Sequence, residues 1–259
     1  MQPAPQPALS VWPLRGLPRV KPGDDLGRLL IDAICSEGLV PAAGDILVVA
    51  QKIVSKAEGR TVDVAAVTPS ARAQELAEVT GKDPRLVELV LRESTEVLRA
   101  KRNVMIVAHR LGLVMANAGI DQSNVESSGL TEPALLLPID PDASALRLKT
   151  RLEEHYGVPL GVVVSDSFGR AWRLGTTGVA IGAAGIPSLI DQRGETDMNG
   201  RVLMVTETAF ADSIAAAAVL VMGEAAEGTP AALVRTPVRN APERPARNLV
   251  RPGQEDMFR

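Results

Sequence analysis

A mixed α+β fold is what this sequence predicts. Stretches with helical and with strand periodicity intermix without a strict β–α–β alternation. With only two Trp, one Tyr and three Phe in the chain, the core must be built from Val, Leu, Ile and Ala. No internal repeat divides the 259 residues, a length that suits one large domain or two modest ones.

Asp24–Glu37 reads as a helix, acidic at its start and with Leu26, Leu29, Leu30 and Ile34 at helical spacing. Gly44-Asp45 marks a turn before Ile46–Ala50, an apolar run typical of a buried strand. Pro69–Val79 and Pro84–Arg92 each open on a proline suited to a first helical turn. Val104–Val107 and Leu111–Ala116 read as a hairpin around Arg110 and Gly112, and a Ser-, Asn- and Gly-rich loop follows to Gly129. Ser144–Tyr156 is a second strong helix, followed by strands at Gly161–Ser165, Val179–Ile186 and Val202–Thr206, with a polar loop at Asp191–Gly200. Ala209–Met222 is an alanine-rich helix and Ala231–Arg235 a last strand. Residues 1–15 are expected to be a disordered or extended tail, 16–236 the folded domain, and 237–259 an extended segment whose end Met257 and Phe258 could dock.

No apolar run approaches the ~20 residues of a membrane helix, and the N-terminus lacks the basic-then-apolar pattern of a secretory signal. A cytoplasmic protein is expected. Net charge is −3 with both signs spread along the chain, unlike a nucleic-acid footprint. One Cys and two His exclude the usual zinc constellations. Cys35 falls in the apolar pattern of the first helix and reads as a buried structural thiol, while His109, beside Arg110 in a turn, reads as exposed. The chemistry must therefore rest on carboxylates, hydroxyls, Lys and Arg, and an oxygen-liking metal. No GxxxxGK[ST] loop, GxSxG elbow or HExxH helix is present. The glycines of Gly178–Gly185 do not fit GxGxxG and read as sites of close backbone packing.

Three oxygen-rich clusters follow apolar strands, where loops usually carry function. They are Asn117–Asn124, with Asp121 and Asn124 as donors; Ser165–Arg170, with Asp166 beside Ser167; and Thr206-Glu207-Thr208, with Asp212 about a turn onward. Each alone is an ordinary turn or cap. Together, with so little His or Cys, they favour Mg2+ or Mn2+. A basic counterpart, Gln51–Lys56, places Lys52 and Lys56 four apart, on one face of a helical turn. Spacing leaves open a polyphosphate grip and a solvated basic turn, with the turn ahead. Arg170 and Arg173 flank Trp172, a second possible clamp for phosphate or carboxylate, or ordinary packing.

Taken together, Gly16–Leu26 (GLPRVKPGDDL), Ala50–Gly59 (AQKIVSKAEG), Met115–Val125 (MANAGIDQSNV), Leu136–Ala145 (LLPIDPDASA), Ser165–Arg173 (SDSFGRAWR) and Val179–Ile186 (VAIGAAGI) resemble the coenzyme F420-0:γ-glutamyl ligases, in order and spacing. The resemblance runs from about Gly16 to Arg235; the NAGIDQSNV and SDSFGRAWR blocks are its most specific parts. It implies a GTP-dependent ligase. The terminal carboxylate of the deazaflavin's lactyl side chain is phosphorylated, L-glutamate's amine attacks the acyl phosphate, and further glutamates follow through γ-linkages.

By position, the resemblance implies Asp121, Asp166, Ser167 and Glu207 as metal ligands. It implies Leu17, Pro18, Arg19, Val20, Gln51, Lys56, Asn124 and the stretch Val205, Thr206, Glu207, Thr208 to Asp212 as nucleotide contacts. Asp166, Lys56 and Arg170 are the candidate catalytic residues. Two divalent ions, Mg2+ or Mn2+, are implied, with K+ as a further candidate. The implied fold is a two-part α+β arrangement forming a homodimer, its cleft near the subunit boundary. An all-round apolar Ala209–Met222 helix, which must be covered on every side, points the same way. Ser167 stands where the family usually has Thr, Ala171 where it has Pro, Thr176 and Gly178 where Gln and Asp are commoner, and Glu207 where Gln is frequent. A flavin-binding, nitroreductase-like extension, found in some relatives, is not expected. The alternatives are another nucleotide-dependent carboxylate–amine ligase and a non-catalytic nucleotide- or flavin-binding module.

Overall fold

The computed structural model describes residues 8–123, 129–237 and 240–257. In chain order its elements are β1 (Ser10–Leu14), α1 (Leu26–Ser36), β2 (Ile46–Ala50), α2 (Gln51–Ala57), β3 (Thr61–Asp63), α3 (Ala71–Thr80), α4 (Pro84–Arg92), β4 (Ser94–Lys101), β5 (Val104–His109) and β6 (Val114–Ala116). There follow β7 (Pro133–Leu135), α5 (Pro141–Tyr156), β8 (Gly161–Arg170), β9 (Arg173–Ala184), β10 (Leu189–Asp191), β11 (Glu207–Ala209), α6 (Phe210–Met222) and β12 (Ala231–Arg235). The mixed α+β class predicted from sequence is what forms.

The central sheet has the order β1-β12-β2-β8-β9; only the β2–β8 pair is parallel. Strand alternation sends its two faces to different helices. Leu47, Val49, Val162 and Val164 pack with α1, α2 and α5, while Ile46, Val48, Val163 and Val234 pack with α6. The glycine-rich stretch lets the helices approach β9. A Cβ at Gly178 would lie 2.5 Å from the Ala215 carbonyl oxygen, and one at Gly182 2.2 Å from that of Pro141. A smaller unit, the β4-β5-β6 sheet, lays Met105 and Val107 on Leu76, Val87 and Val90 of α3 and α4.

Helix boundaries follow local capping. Asp25, Ser70, Asp83 and Asp140 each accept a hydrogen bond from a backbone N–H of the helix they open. Gly81 and Gly157 close α3 and α5 in the left-handed conformation. Pro69 therefore stands outside α3, one residue before its cap.

Several sequence expectations differ from the structure. Residues 10–14, assigned to a tail, are extended and pair as an edge strand with β12, where Pro13 is tolerated. Val202–Thr206 does not form a continuous strand: Val202 makes a single antiparallel bridge to Thr196 and Leu203 bonds Gly194 and Glu195, while Met204 and Val205 are 74% and 85% exposed and the ladder proper starts at Glu207. Strand β4 was not expected, because its sequence STEVLRAK is polar and its pairing with β5 is broken by two register shifts. Cys35 is exposed rather than buried, since α1 turns Leu30, Ile31 and Ile34 inward instead. Conversely His109 is buried, 1% exposed, because it ends β5 on the inner side of the turn.

The C-terminal segment is fixed at its start by Asp142, whose carboxylate accepts from the backbone N–H of Ala183, Ala246 and Arg247. Met257 is 87% exposed and so does not dock; Phe258 lies outside the described residues. Among the described residues no helix is long and apolar enough to cross a membrane.

Candidate active site

A cleft of about 1580 Å3 opens between the C-terminal ends of β2 and β8 and the smaller β4-β5-β6 sheet. The parallel pairing of β2 with β8 sets Ala50 beside Ser165, so α2 and the Ser165–Arg170 segment leave the sheet side by side. Sites at the carboxyl ends of neighbouring parallel strands are a recurrent outcome of this geometry.

The structure brings three separately read clusters into this cleft. Leu17, Pro18, Arg19 and Val20 line it, as do Gln51, Lys52 and Lys56 of α2, then Asp121, and then Asp166, Ser167 and Arg170 of β8. Lys52 and Lys56 do share a helical turn, as their spacing predicted. Lys52 does not only face solvent: its ammonium pairs with the Asp121 carboxylate and donates to Ser123 Oγ at 3.1 Å. Asp121 also accepts from the Ser123 N–H at 2.6 Å and its hydroxyl at 2.9 Å. Burial raises the Asp121 carboxyl, but those hydrogen bonds and the Lys52 charge outweigh it and hold it below its ordinary value. Gln51 is buried and accepts from the Ser55 hydroxyl at 3.0 Å, which locks the start of α2.

Asp166 behaves in the opposite way. Burial pushes its carboxyl up to about 6; the Ser167 N–H and Lys52 pull against that, and the Asp121 and Glu224 charges add to it. Ser167 Oγ donates to Glu224 Oε2 at 2.5 Å. Glu224 was not found by sequence reading. It follows the end of α6 in a glycine-bracketed loop, Gly223–Gly228, that borders the cleft, and the only local signal was an acid just beyond a left-handed-favouring glycine at φ 74°. The β4-β6 wall of the cleft was also missed.

Arg170 and Arg173 face each other across the tight turn of the β8–β9 hairpin, and both line the cleft. Between them Trp172 sits at φ 57° and is 82% exposed, so it is not core packing. The remaining sequence candidates lie elsewhere. Val205, Thr206, Glu207, Thr208 and Asp212 do not line this cleft. Glu207 pairs with Arg193 at 3.3 Å, and Thr208 Oγ1 donates to Gln192 at 2.9 Å. Asp212 accepts from the Ala180 N–H at 2.9 Å and stitches α6 to β9. Asn124 lies outside the described residues.

The donor set here is all oxygen: Asp121, Asp166, Ser167 and Glu224. That suits a hard divalent cation rather than zinc or copper. Among the described residues no three acidic, His or Cys side chains already form a cage. A cation would take only one or two protein carboxylates and fill its shell from phosphate oxygens, the usual habit of Mg2+.

The sequence profile of the F420-0:Gamma-glutamyl ligase family matches residues 16–236. The Coenzyme F420:L-glutamate ligase of Methanopyrus kandleri is 44% identical over 257 residues, covering 98% of each chain. That of Methanothermobacter thermautotrophicus is 44% identical over 97% of this chain and 99% of its own. That of Natronomonas pharaonis is 49% identical over 85% and 83%. With identity of this order along nearly the whole chain, and with a cleft that gathers lysines and oxygen donors, the chain belongs to the F420-0:gamma-glutamyl ligase family.

Proposed function

We propose that this chain joins L-glutamate to coenzyme F420-0 at the expense of GTP, through an acyl phosphate, in the cleft lined by Lys52, Lys56, Asp121 and Asp166. The observation that carries the reading is that Lys52, Lys56, Asp121, Asp166 and Glu224 line one cleft, with the Lys52 ammonium paired to Asp121. An acceptor carboxylate oxygen attacks the γ-phosphorus, the bond to the β–γ bridging oxygen breaks, and GDP leaves. The glutamate amine then attacks the acyl carbon, loses a proton, and phosphate departs as the amide forms.

Two Mg2+ or Mn2+ ions, when bound, screen the phosphate charges and polarise the transferring group. Asp121, Asp166 and Ser167 would hold them, with Glu224 bonded to Ser167; K+ is a further candidate. Lys56 and Arg170 supply fixed positive charge to phosphate and carboxylate oxygens, and Leu17–Val20 border the nucleotide. Incubating F420-0 with enzyme, GTP, L-glutamate and Mn2+ is expected to give products heavier by whole glutamyl residues in a mass spectrum. No such product with GTP, but product with ATP, would reject the nucleotide; none with either would reject the ligase.

Lys56→Ala is expected to weaken GTP binding by about ten- to a hundredfold, the 1.5–3 kcal/mol of a charge-assisted hydrogen bond. Lys101, exposed on β4 and away from the cleft, serves as the control. Equal small effects at both positions in a GTP titration would reduce the α2 lysines to a solvated turn. Lys52→Ala is a different experiment, since it also removes the counter-charge of Asp121.

The enzyme is proposed to work as a homodimer. Leu220 on α6 is 84% exposed, and Met198, Met204 and Val205 are 103%, 74% and 85% exposed. Such apolar surface is commonly covered by a partner. Glu207 lies outside the cleft of its own chain and pairs with Arg193, so Glu224, bonded to Ser167 in the cleft, takes its place in the proposed donor set. Sedimentation at micromolar concentration should give about twice 27.3 kDa. A monomer turning over at full rate would remove the dimer from the proposal.

A further inference from the structure

The smaller sheet has one face covered by helices and another, mixed aliphatic and charged, turned to the cleft. Its inner face, with Val97, Met105 and Val107, is packed against α3 and α4. Register places Ile106 opposite Ala116, and Ala108 opposite Val114, so Ile106, Val114 and Ala116 share the other face. The irregularity between Val97 and Arg99 brings Leu98 to the cleft as well. Leu98, Ile106, Val114 and Ala116 thus form a low aliphatic wall, Val114 being 42% exposed, with Glu96 and Arg99 on the same strand at its edge.

The cleft's 1580 Å3 exceeds the roughly 300–1,000 Å3 that one small ligand fills. The Lys52–Asp121 ion pair and the Ser167–Glu224 bond lie on α2, Asp121, β8 and the Gly223–Gly228 loop, outside this wall. One end suits phosphates, and the other suits a flat apolar body.

We infer that the cleft-facing side of β4-β5-β6, through Leu98, Ile106 and Val114, is the platform on which the tricyclic deazaflavin ring of the acceptor rests. Its anionic side chain then runs past Arg99 toward the lysines, which sets the terminal carboxylate at the transferring phosphate. A ring held by aliphatic contact alone is free to vary in what its side chain carries. The same platform can therefore serve F420-0 and its glutamylated products. The inference rests on the ligase reading, which assigns the nucleotide to the Leu17–Val20 side.

The test is the double variant Ile106→Ala/Val114→Ala. Acceptor KM should rise about tenfold or more, the scale on which apolar pockets discriminate, while GTP KM stays within about twofold. Titrating F420-0 by its own chromophore without GTP should show the same loss. The variant Ile106→Leu/Val114→Leu, which keeps the aliphatic surface, should restore acceptor binding, a recovery that general damage to the sheet would not give. A rise in GTP KM with acceptor binding unchanged would seat the guanine here and overturn the inference. No change in either ligand would overturn it as well. Binding is read without turnover, so a wild-type protein that fails to glutamylate F420-0 yet loses its affinity in the variant would reject the ligase activity and keep the platform.

Discussion

Asp166→Asn is expected to lower turnover at least about a hundredfold with the fold intact, the loss typical when a preorganised electrostatic contact is removed. The substitution keeps the shape of the side chain and removes the charge that a cation or a transferred proton would use. The same charge is costly to the metal-free protein, because burial raises the carboxyl to about 6 from an ordinary 3.8. A raised carboxylate makes the native state bind more protons than the unfolded one between those values. Stability from this group is therefore greatest below about pH 4 and declines as pH rises through 6. In EDTA, Asp166→Asn should thus melt higher than wild type at pH 8, with the difference vanishing near pH 4. A rise of a few degrees corresponds to about 1 kcal/mol in a chain of this size. Turnover within a few-fold of wild type would remove Asp166 from the reaction. A lower melting temperature at pH 8 would show that its charge is compensated in the fold.

Glu93→Ala should destabilise the protein by about 1.5–3 kcal/mol, the scale of hydrogen bonds to a charged group, since the ionic cluster it joins is only partly buried. Glu93 receives Arg60 at 3.1 Å and Arg110 at 3.0 Å, and His109 Nε2 lies 3.5 Å away. The backbone N–H of Leu111 donates to His109 Nδ1 at 3.0 Å, so the ring proton sits on Nε2 and faces the carboxylate. Arg60 also donates to the Leu137 carbonyl, and Arg110 to that of Ile139, both at 2.8 Å. The cluster therefore ties the turn after α4 and the end of β5 to the segment that leads into α5. It holds the smaller sheet against the larger unit, and with it one wall of the cleft. Burial pushes the Glu93 carboxyl up, but His109 and the two arginines outweigh that and hold it at about 2. A depressed carboxylate stabilises above its unfolded value of 4.5 and loses that contribution as pH falls toward 2. Urea unfolding of Glu93→Gln should be weaker at pH 7 and should lack most of the wild-type decline between pH 4.5 and 2. Equal stability of the two proteins at pH 7 would mean the cluster is a surface ion pair of little worth.

Much of this arrangement was legible before folding was considered. The caps at Asp25, Asp83 and Asp140, the apolar run of β2 and the lysine pair of α2 depend on neighbours within a few residues. Local propensity and periodicity report such features directly. The oxygen-rich strand ends at Asp121 and Asp166 were readable for the same reason. The motifs that carry the family resemblance are contiguous stretches of chain, so they too belong to the sequence.

What lay beyond the sequence is whatever depends on chain segments that meet only in three dimensions. Glu224 reaches Ser167 across 57 residues, and Lys52 reaches Asp121 across a gap of similar length, with no periodicity linking either pair. His109 was read as exposed because a turn normally is, yet its ring is buried beside Glu93, which closes α4. Cys35 was read as buried because its neighbours are apolar, but α1 packs only one face and the thiol lies on the other. Val202–Thr206 has the composition of a strand, but the polar segment it meets at Gly194–Thr196 gives it only one bridge and no buried face. Glu207, read beside Asp166 as one ligand set, lies on a separate two-stranded ladder with Arg193. Sequence determined which residue types this protein offers to chemistry and which short elements carry them. Packing alone decided which of those elements share a cleft, because burial and charge pairing are settled by neighbours distant in sequence.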